Sequence, residues 1–111
     1  MRFLLFALLA LGCSSGPTAL SCSRPDVGEC IDYVGAAAEF DGSRACPLAG
    51  GTLQHEACPA LARVARCELR LSPSGPANAI TSYYPPHTES DARAACGAIA
   101  DGPAHSRFVP P

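Results

Sequence analysis

The sequence contains no tryptophan and no lysine, and both absences narrow what the protein can be. Aromatic residues are few, so a large aromatic core is excluded; after position 12 they are Tyr33, Phe40, Tyr83, Tyr84 and Phe108. All eight basic residues are arginines, and ten acidic residues give a formal net charge of −2. This balance provides no electrostatic basis for binding nucleic acid.

The motifs of several enzymes and metal sites are also missing. No C-x-x-C occurs, so neither a zinc knuckle nor a thioredoxin-like site is indicated. There is no G-x-S-x-G, and Gly50-Gly51 is not followed by the Lys-Ser/Thr of a phosphate loop. His55-Glu56 begins like the H-E-x-x-H of zinc proteases, but the last position is Pro59. With His87 and His105 isolated, we predict three exposed loop histidines, no catalytic residue, no metal and no cofactor.

The longest apolar run covers nine residues, Phe3 to Leu11, and is too short for a membrane span of about 20 residues. Arg2 precedes the run, and small residues occupy the −3 and −1 positions before Cys13. This pattern predicts a secretory signal peptide over residues 1–12. Its removal leaves 99 residues, enough for one small domain with a marginal core in an oxidising compartment.

Cys13 allows two interpretations. Leu9 to Cys13 resembles the lipobox of bacterial lipoproteins, although Ala10 and Leu11 depart from the usual Leu at −3 and small residue at −2. The resemblance implies that Cys13 receives a thioether-linked diacylglycerol and, after cleavage, an N-acyl chain such as palmitate. In the other interpretation an ordinary signal peptidase cleaves between Gly12 and Cys13, and Cys13 is a seventh thiol. Lipidation is favoured because six cysteines then remain, and six can pair completely.

Residues 13–21 are predicted to be a lipidated cysteine with a flexible tether, since Ser14 to Thr18 are small and polar. By the same resemblance, Ser14 after the lipid cysteine implies sorting to an outer membrane where the host has one. Our leading hypothesis is a non-enzymatic cell-envelope lipoprotein, a structural or binding module with an unknown partner. The alternative is a secreted cysteine-rich effector, such as a protease inhibitor or toxin, with Ser72 to Ala77 as its contact loop.

The remaining cysteines predict a disulfide-stapled domain over residues 22–111. Gaps of 7, 15, 11, 8 and 28 residues separate them, and fifteen pairings are open: the six are Cys22, Cys30, Cys46, Cys58, Cys67 and Cys96. A faint duplication suggests a particular set. Tyr33 precedes Cys46 by 13 residues, as Tyr83 precedes Cys96. This duplication predicts Cys30–Cys46 and Cys67–Cys96 as equivalent bridges, with Cys22–Cys58 joining the halves.

The predicted fold class is α+β, with a β-hairpin and one or two short helices. Alternating apolar residues in Ala65 to Leu71, a turn, and Asn78 to Tyr84 indicate a hairpin over about 65–84. A helical period with Thr88 as N-cap predicts a helix over about 89–100. A second helix is expected over 39–46, weakened by Gly42 and ended or offset by Pro47. Short strands are expected at Cys30 to Val34 and Thr52 to His55. Residues 19–29 are predicted to be loop-like, and residues 104–111 a loosely held tail.

Tyr83-Tyr84 is the best candidate for a contact surface, because adjacent strand residues face opposite sides and tyrosine is favoured at binding surfaces. The whole pattern of cysteines and tyrosines, with Gly50-Gly51-Thr52, Cys58-Pro59 and Arg63 to Cys67, resembles small cysteine-rich lipoproteins of myxobacteria over residues 22–102. That group brings no mechanism with it.

Overall fold

The structure, a computed structural model, describes residues 19–70, 74–99 and 105–111. Within them the chain forms six strands, two α-helices and a short 3₁₀ helix, which confirms the predicted α+β class. In chain order the elements are β1 (Leu20–Arg24), the 3₁₀ helix (Pro25–Val27), β2 (Glu29–Tyr33), α1 (Ala36–Leu48), β3 (Thr52–Gln54), β4 (Ala65–Arg70), β5 (Ala77–Tyr83), α2 (Glu89–Gly97) and β6 (Ser106–Val109).

The six strands form one antiparallel sheet in the order β3-β1-β2-β5-β4-β6. The first three strands of the chain make up one side of the sheet and the last three make up the other. Each half has the same sequence of elements: two paired strands, a helix, and a third strand beside the first. The halves meet where β2 pairs with β5. The sheet is therefore symmetric about this central pair.

The strand register follows the same symmetry. Ile31 lies opposite Thr81 at the centre, and the pairing of Glu29 with Tyr83 is matched by that of Ala79 with Tyr33. One row of side chains crosses all six strands in symmetric order: Leu53, Cys22, Ile31, Thr81, Cys67 and Phe108. The cysteines in this row are bonded to α1 and α2, so both helices cover one face, here called the helix face.

Helix α2 begins as predicted. The Asp91 amide donates to the Thr88 hydroxyl at 3.1 Å, and the Thr88 amide donates to the Asp91 carboxylate at 2.9 Å. This reciprocal capping box satisfies two amides that lack intrahelical acceptors. The helix ends at Gly97, and the predicted end at residue 100 lies outside the described residues.

Helix α1 is longer than the predicted 39–46. It continues through Gly42, where a Cβ atom would come within 2.5 Å of the Tyr33 ring. Glycine weakens helices, but at position 42 it allows the helix to pack closely on this ring. Pro47 lies in the last turn, and the helix ends one residue later, so this proline marks the terminus as expected.

Two segments predicted to be irregular are strands. Residues 19–29 contain β1, and Gly28, with a φ of 67°, completes the turn into β2. Cys22 is buried where it is bonded to Cys46 of α1, and Ser21, on the other face, is buried where its hydroxyl donates to the Glu56 carbonyl. The tail contains β6, which pairs with β4, and its Phe108 packs against the core under the Arg93 guanidinium. The predicted hairpin is confirmed as β4–β5, and the predicted strands at 30–34 and 52–55 appear as β2 and β3.

The core consists mainly of cysteines and small residues. The buried cluster under α2 is completed at its edges by Val64, Ile99 and Phe108; it contains Ala65, Cys67, Tyr83, Ala92 and Cys96. Under α1, the buried helix residues are Gly42 and Cys46. With so little apolar volume on either side, the covalent bridges replace much of the packing that a larger core would supply.

Candidate functional site

The six cysteines of the domain form three disulfides. Cys67 pairs with Cys96, as the duplication predicts, with their Cα atoms 5.5 Å apart. The other two predicted pairs are wrong, because the structure has Cys22–Cys46 and Cys30–Cys58 in place of Cys30–Cys46 and Cys22–Cys58. The bridges are intramolecular, which is typical of an exported protein.

Strand alternation explains the corrected pairing. Cys22 lies opposite Ile31 and shares the helix face with it. Cys30 is the next residue along β2 and therefore points to the opposite face, away from Cys46 in α1. The equivalent of the Cys67–Cys96 bridge is thus Cys22–Cys46, which also joins the first strand of its half to the helix.

The face opposite the helices is crossed by the linker, residues 55–64, which connects the two halves. The Cys58 amide donates to the Asp32 carboxylate at 3.0 Å, and the Ser21 hydroxyl donates to the Glu56 carbonyl at 2.6 Å. The Cys30–Cys58 bridge fixes the linker to β2 as well. The linker is thus held chiefly by the first half of the sheet.

The tyrosine pair divides as predicted. Tyr83 is 4% exposed and lies in the core, while Tyr84 is half-buried on the linker face. The Tyr84 hydroxyl donates to the Pro59 carbonyl at 2.6 Å, so this side chain is used to hold the linker. Burial raises the pKa of both phenols, and the nearby Glu29 carboxylate raises that of Tyr83 further.

The three histidines lie outside helices and strands, but they are not all exposed. His55 is exposed, whereas His87 and His105 are half-buried. The His87 ring nitrogen Nε2 lies 2.7 Å from the Val27 carbonyl, and the ring meets Tyr83 edge-on with centroids 5.5 Å apart. His87 therefore joins α2 to the β1–β2 turn, a structural role that its position after two prolines did not indicate.

Alternate residues of β4 carry charge on the linker face. Glu68 accepts from Arg70 at 2.7 Å and lies 3.8 Å from Arg107. Arg66, Glu68 and Arg70 are half-buried, so this face is only partly open to solvent. Within the described residues no cluster of three or more His, Cys, Asp or Glu side chains could hold a metal.

Two grooves open on the described surface. The interhelical groove lies on the helix face between α1 and the β5–β4 strands, with a volume of 260 Å³ and a largely apolar lining. The linker groove lies on the opposite face and has a volume of 290 Å³. The first is lined by residues that include Tyr33, Ala38, Gly42, Leu69 and Ala79, and the second by residues that include Pro25, Glu29, Pro59, Leu61 and Tyr84.

Larger and charged side chains occur at the position symmetric to the interhelical groove. Register places Arg24 and Glu29, which form an ion pair at 3.4 Å, where the groove has Leu69 and Ala79. The two symmetric positions therefore differ in side-chain size and charge. Sequence reasoning missed this groove, although Ala38, Gly42 and Ala45 at spacings of i, i+4 and i+7 form a stripe of small residues that indicates it.

Several predicted features fall outside the described residues. They include the signal peptide, Cys13 and Ser14, and residues 72–73 of the proposed contact loop. The remainder of that loop is residues 74–77, and its last residue, Ala77, is the first residue of β5. None of the described helices has the length and apolar character needed to cross a bilayer.

Comparisons with protein-family models, with curated proteins and with solved structures give no match to this chain.

Proposed function

We propose that the protein is an exported lipoprotein of the cell envelope, anchored through acyl chains on Cys13 and acting as a non-enzymatic structural or binding module. The observation that carries the proposal is the complete pairing of the six cysteines in the domain. The one cysteine of the sequence that is not in these three pairs is Cys13, directly after the predicted signal peptide. A stapled domain has no need of this thiol, whereas a lipid anchor requires it.

The position of the domain along the chain supports the same proposal. Strand β1 begins at Leu20, seven residues after Cys13, and the intervening residues are mostly small or polar. Such a segment serves as a short tether between a lipid and a folded domain. Two or more acyl chains give stable attachment, since each buried CH₂ contributes about 0.8 kcal/mol.

Substitution of Cys13 by serine tests the anchor. We expect the wild-type protein to sediment with membranes and Cys13→Ser to become soluble, while Ser14→Ala, the matched control, stays with the membranes. Intact-mass measurement before and after reduction should show a lipid mass on the wild type and three disulfides in both proteins. Equal membrane fractionation of wild type and Cys13→Ser would contradict the proposal.

A further inference from the structure

The tether enters the domain at one end of the sheet. Leu20, the first residue of β1, lies opposite Tyr33, which in turn lies opposite Ala79, and Ala79 lies opposite Leu69. Tyr33, Ala79 and Leu69 also line the interhelical groove. The groove therefore lies at the end where the chain leaves the domain, and this end is here called the tether end.

The described residues of the tether end are largely uncharged. The two segments that form it on the helix side, residues 33–38 and 74–79, contain no Asp, Glu, Lys or Arg. Val34 is 44% exposed there, and Ala36 and Ala37 are also exposed. Arg70, on the other side of this end, is engaged by Glu68 and by the Gly75 carbonyl. Exposed apolar surface of this kind is a candidate for contact with another molecule or with a membrane.

The tether is too short to hold this surface far from the membrane. Six residues lie between Cys13 and Leu20, and the seven steps from one Cα atom to the other span at most about 25 Å of fully extended chain. A short connection of this kind raises the effective concentration of the attached surface at the bilayer, so that even a weak contact is populated.

We propose that the tether end lies against the bilayer and that the interhelical groove opens onto its lipid. This inference rests on the proposed function, because it requires the anchor on Cys13. It goes further in fixing the orientation of the domain: the linker groove, with Leu61 and the β1–β2 turn, is directed away from the membrane toward other molecules.

The charged residues nearest the proposed contact determine which lipid headgroups it favours. Glu39 and Asp41 lie within the first two turns of α1, and Asp41 lines the groove. Anionic headgroups would be repelled by these carboxylates, so the contact should form with zwitterionic phosphatidylcholine and weaken as anionic phosphatidylglycerol is added.

Hydrogen exchange of the anchored, full-length mature protein in phosphatidylcholine vesicles tests the orientation. The amides of Ala36, Ala37 and Ala38 are suitable probes, since the first turn of a helix has no intrahelical acceptors for them. We expect their exchange to be slower by roughly fivefold in the anchored protein than in Cys13→Ser, which is the effect of removing a half-exposed valine and its neighbours from water. The amides of residues 60–62, in the linker, should exchange equally in both proteins.

A pair of substitutions separates this contact from the anchor itself. Val34→Asp should abolish the slower exchange without releasing the protein from the vesicles. Leu61→Asp is the matched control, because Leu61 is an exposed apolar residue in the linker and should leave the exchange of residues 36–38 unchanged. If the wild-type protein is vesicle-bound but residues 36–38 exchange as fast as in Cys13→Ser, the orientation is wrong while the anchor stands. If the wild-type protein does not bind vesicles at all, the proposed function fails, and this inference fails with it.

Discussion

At the scale of single residues, the fold depends on glycine and alanine at the points where the helices and the chain lie closest to the sheet. Gly42 allows α1 to lie directly on Tyr33, and Gly51 allows the chain to pass over the Cys22–Cys46 bridge. At the position in α2 equivalent to Gly42 stands Ala92, which is fully buried. In both halves of the molecule, a very small residue at the point of contact lets the helix lie close enough to the sheet to form a disulfide.

Gly51→Ala is expected to destabilise the protein. An added Cβ would overlap Cys22 Sγ and lie 2.9 Å from Cys46 Sγ, and a buried bridge has little freedom to move aside. Overpacking of this kind costs about 1–3 kcal/mol. Gly97→Ala is the control, because nothing lies within 4 Å of an added Cβ there and helix propensity improves. Urea unfolding should therefore shift to lower concentration for the first variant and not for the second; equal midpoints would show that the bridge tolerates the methyl group.

At the scale of elements, the segments that could be predicted are those whose signals are local. Helix α2 has an N-cap and a helical period within its own residues, and the β4–β5 hairpin has alternation and a turn. Strand β1, with the sequence Leu-Ser-Cys-Ser-Arg, has only Leu20 and Cys22 as alternating apolar residues, which is too short a signal to identify a strand. Its strand conformation comes from β2 and β3 on either side. The same holds for β6, which is recruited by β4 from a distant part of the chain.

The capping box of α2 makes a prediction about acid. Hydrogen bonds from Thr88 lower the pKa of Asp91 below its ordinary value of 3.8. A carboxyl whose pKa is lower in the folded state stabilises that state above pH 3.8, and this contribution is lost as pH falls through the lowered pKa. The Thr88 amide, which donates to this carboxylate, should report the loss in an NMR titration below pH 3.8. Asp91→Asn should remove that titration, and Glu89→Gln, a first-turn control outside the box, should keep it.

At the scale of the whole molecule, the pairing of the cysteines was the part that sequence spacing could not determine. The distances along the chain made Cys30 look equivalent to Cys67, but the strand register makes Cys22 its counterpart. A one-residue difference in alternation decides which face a cysteine occupies, and that information is present only once the strands are paired. The interhelical groove was missed for the same reason, since its floor and wall come from different halves of the chain.

The two symmetric disulfides should contribute similar amounts to the free energy of unfolding. Cys22–Cys46 and Cys67–Cys96 close loops of similar length, with sequence separations of 24 and 29. The loop-entropy estimate gives about 3.5 kcal/mol for each. Paired serine substitutions at either bridge should therefore lower the free energy of unfolding by similar amounts, measured in urea. A much larger loss for one bridge would show that its half of the molecule is the more dependent on covalent support.

A chain made of the first half alone would leave one edge of β2 without a neighbouring strand. The simplest partner for such an edge is the same edge of a second copy, in the antiparallel register that β2 and β5 show here. The present molecule thus has the geometry of a homodimer whose subunits are joined into one polypeptide by residues 55–64. The connections between elements are longer in the second half than in the first. Counterparts such as Cys22 and Cys67 or Leu53 and Phe108 are consequently separated by distances that increase along the chain, and a comparison of the sequence with itself at any single offset aligns few of them.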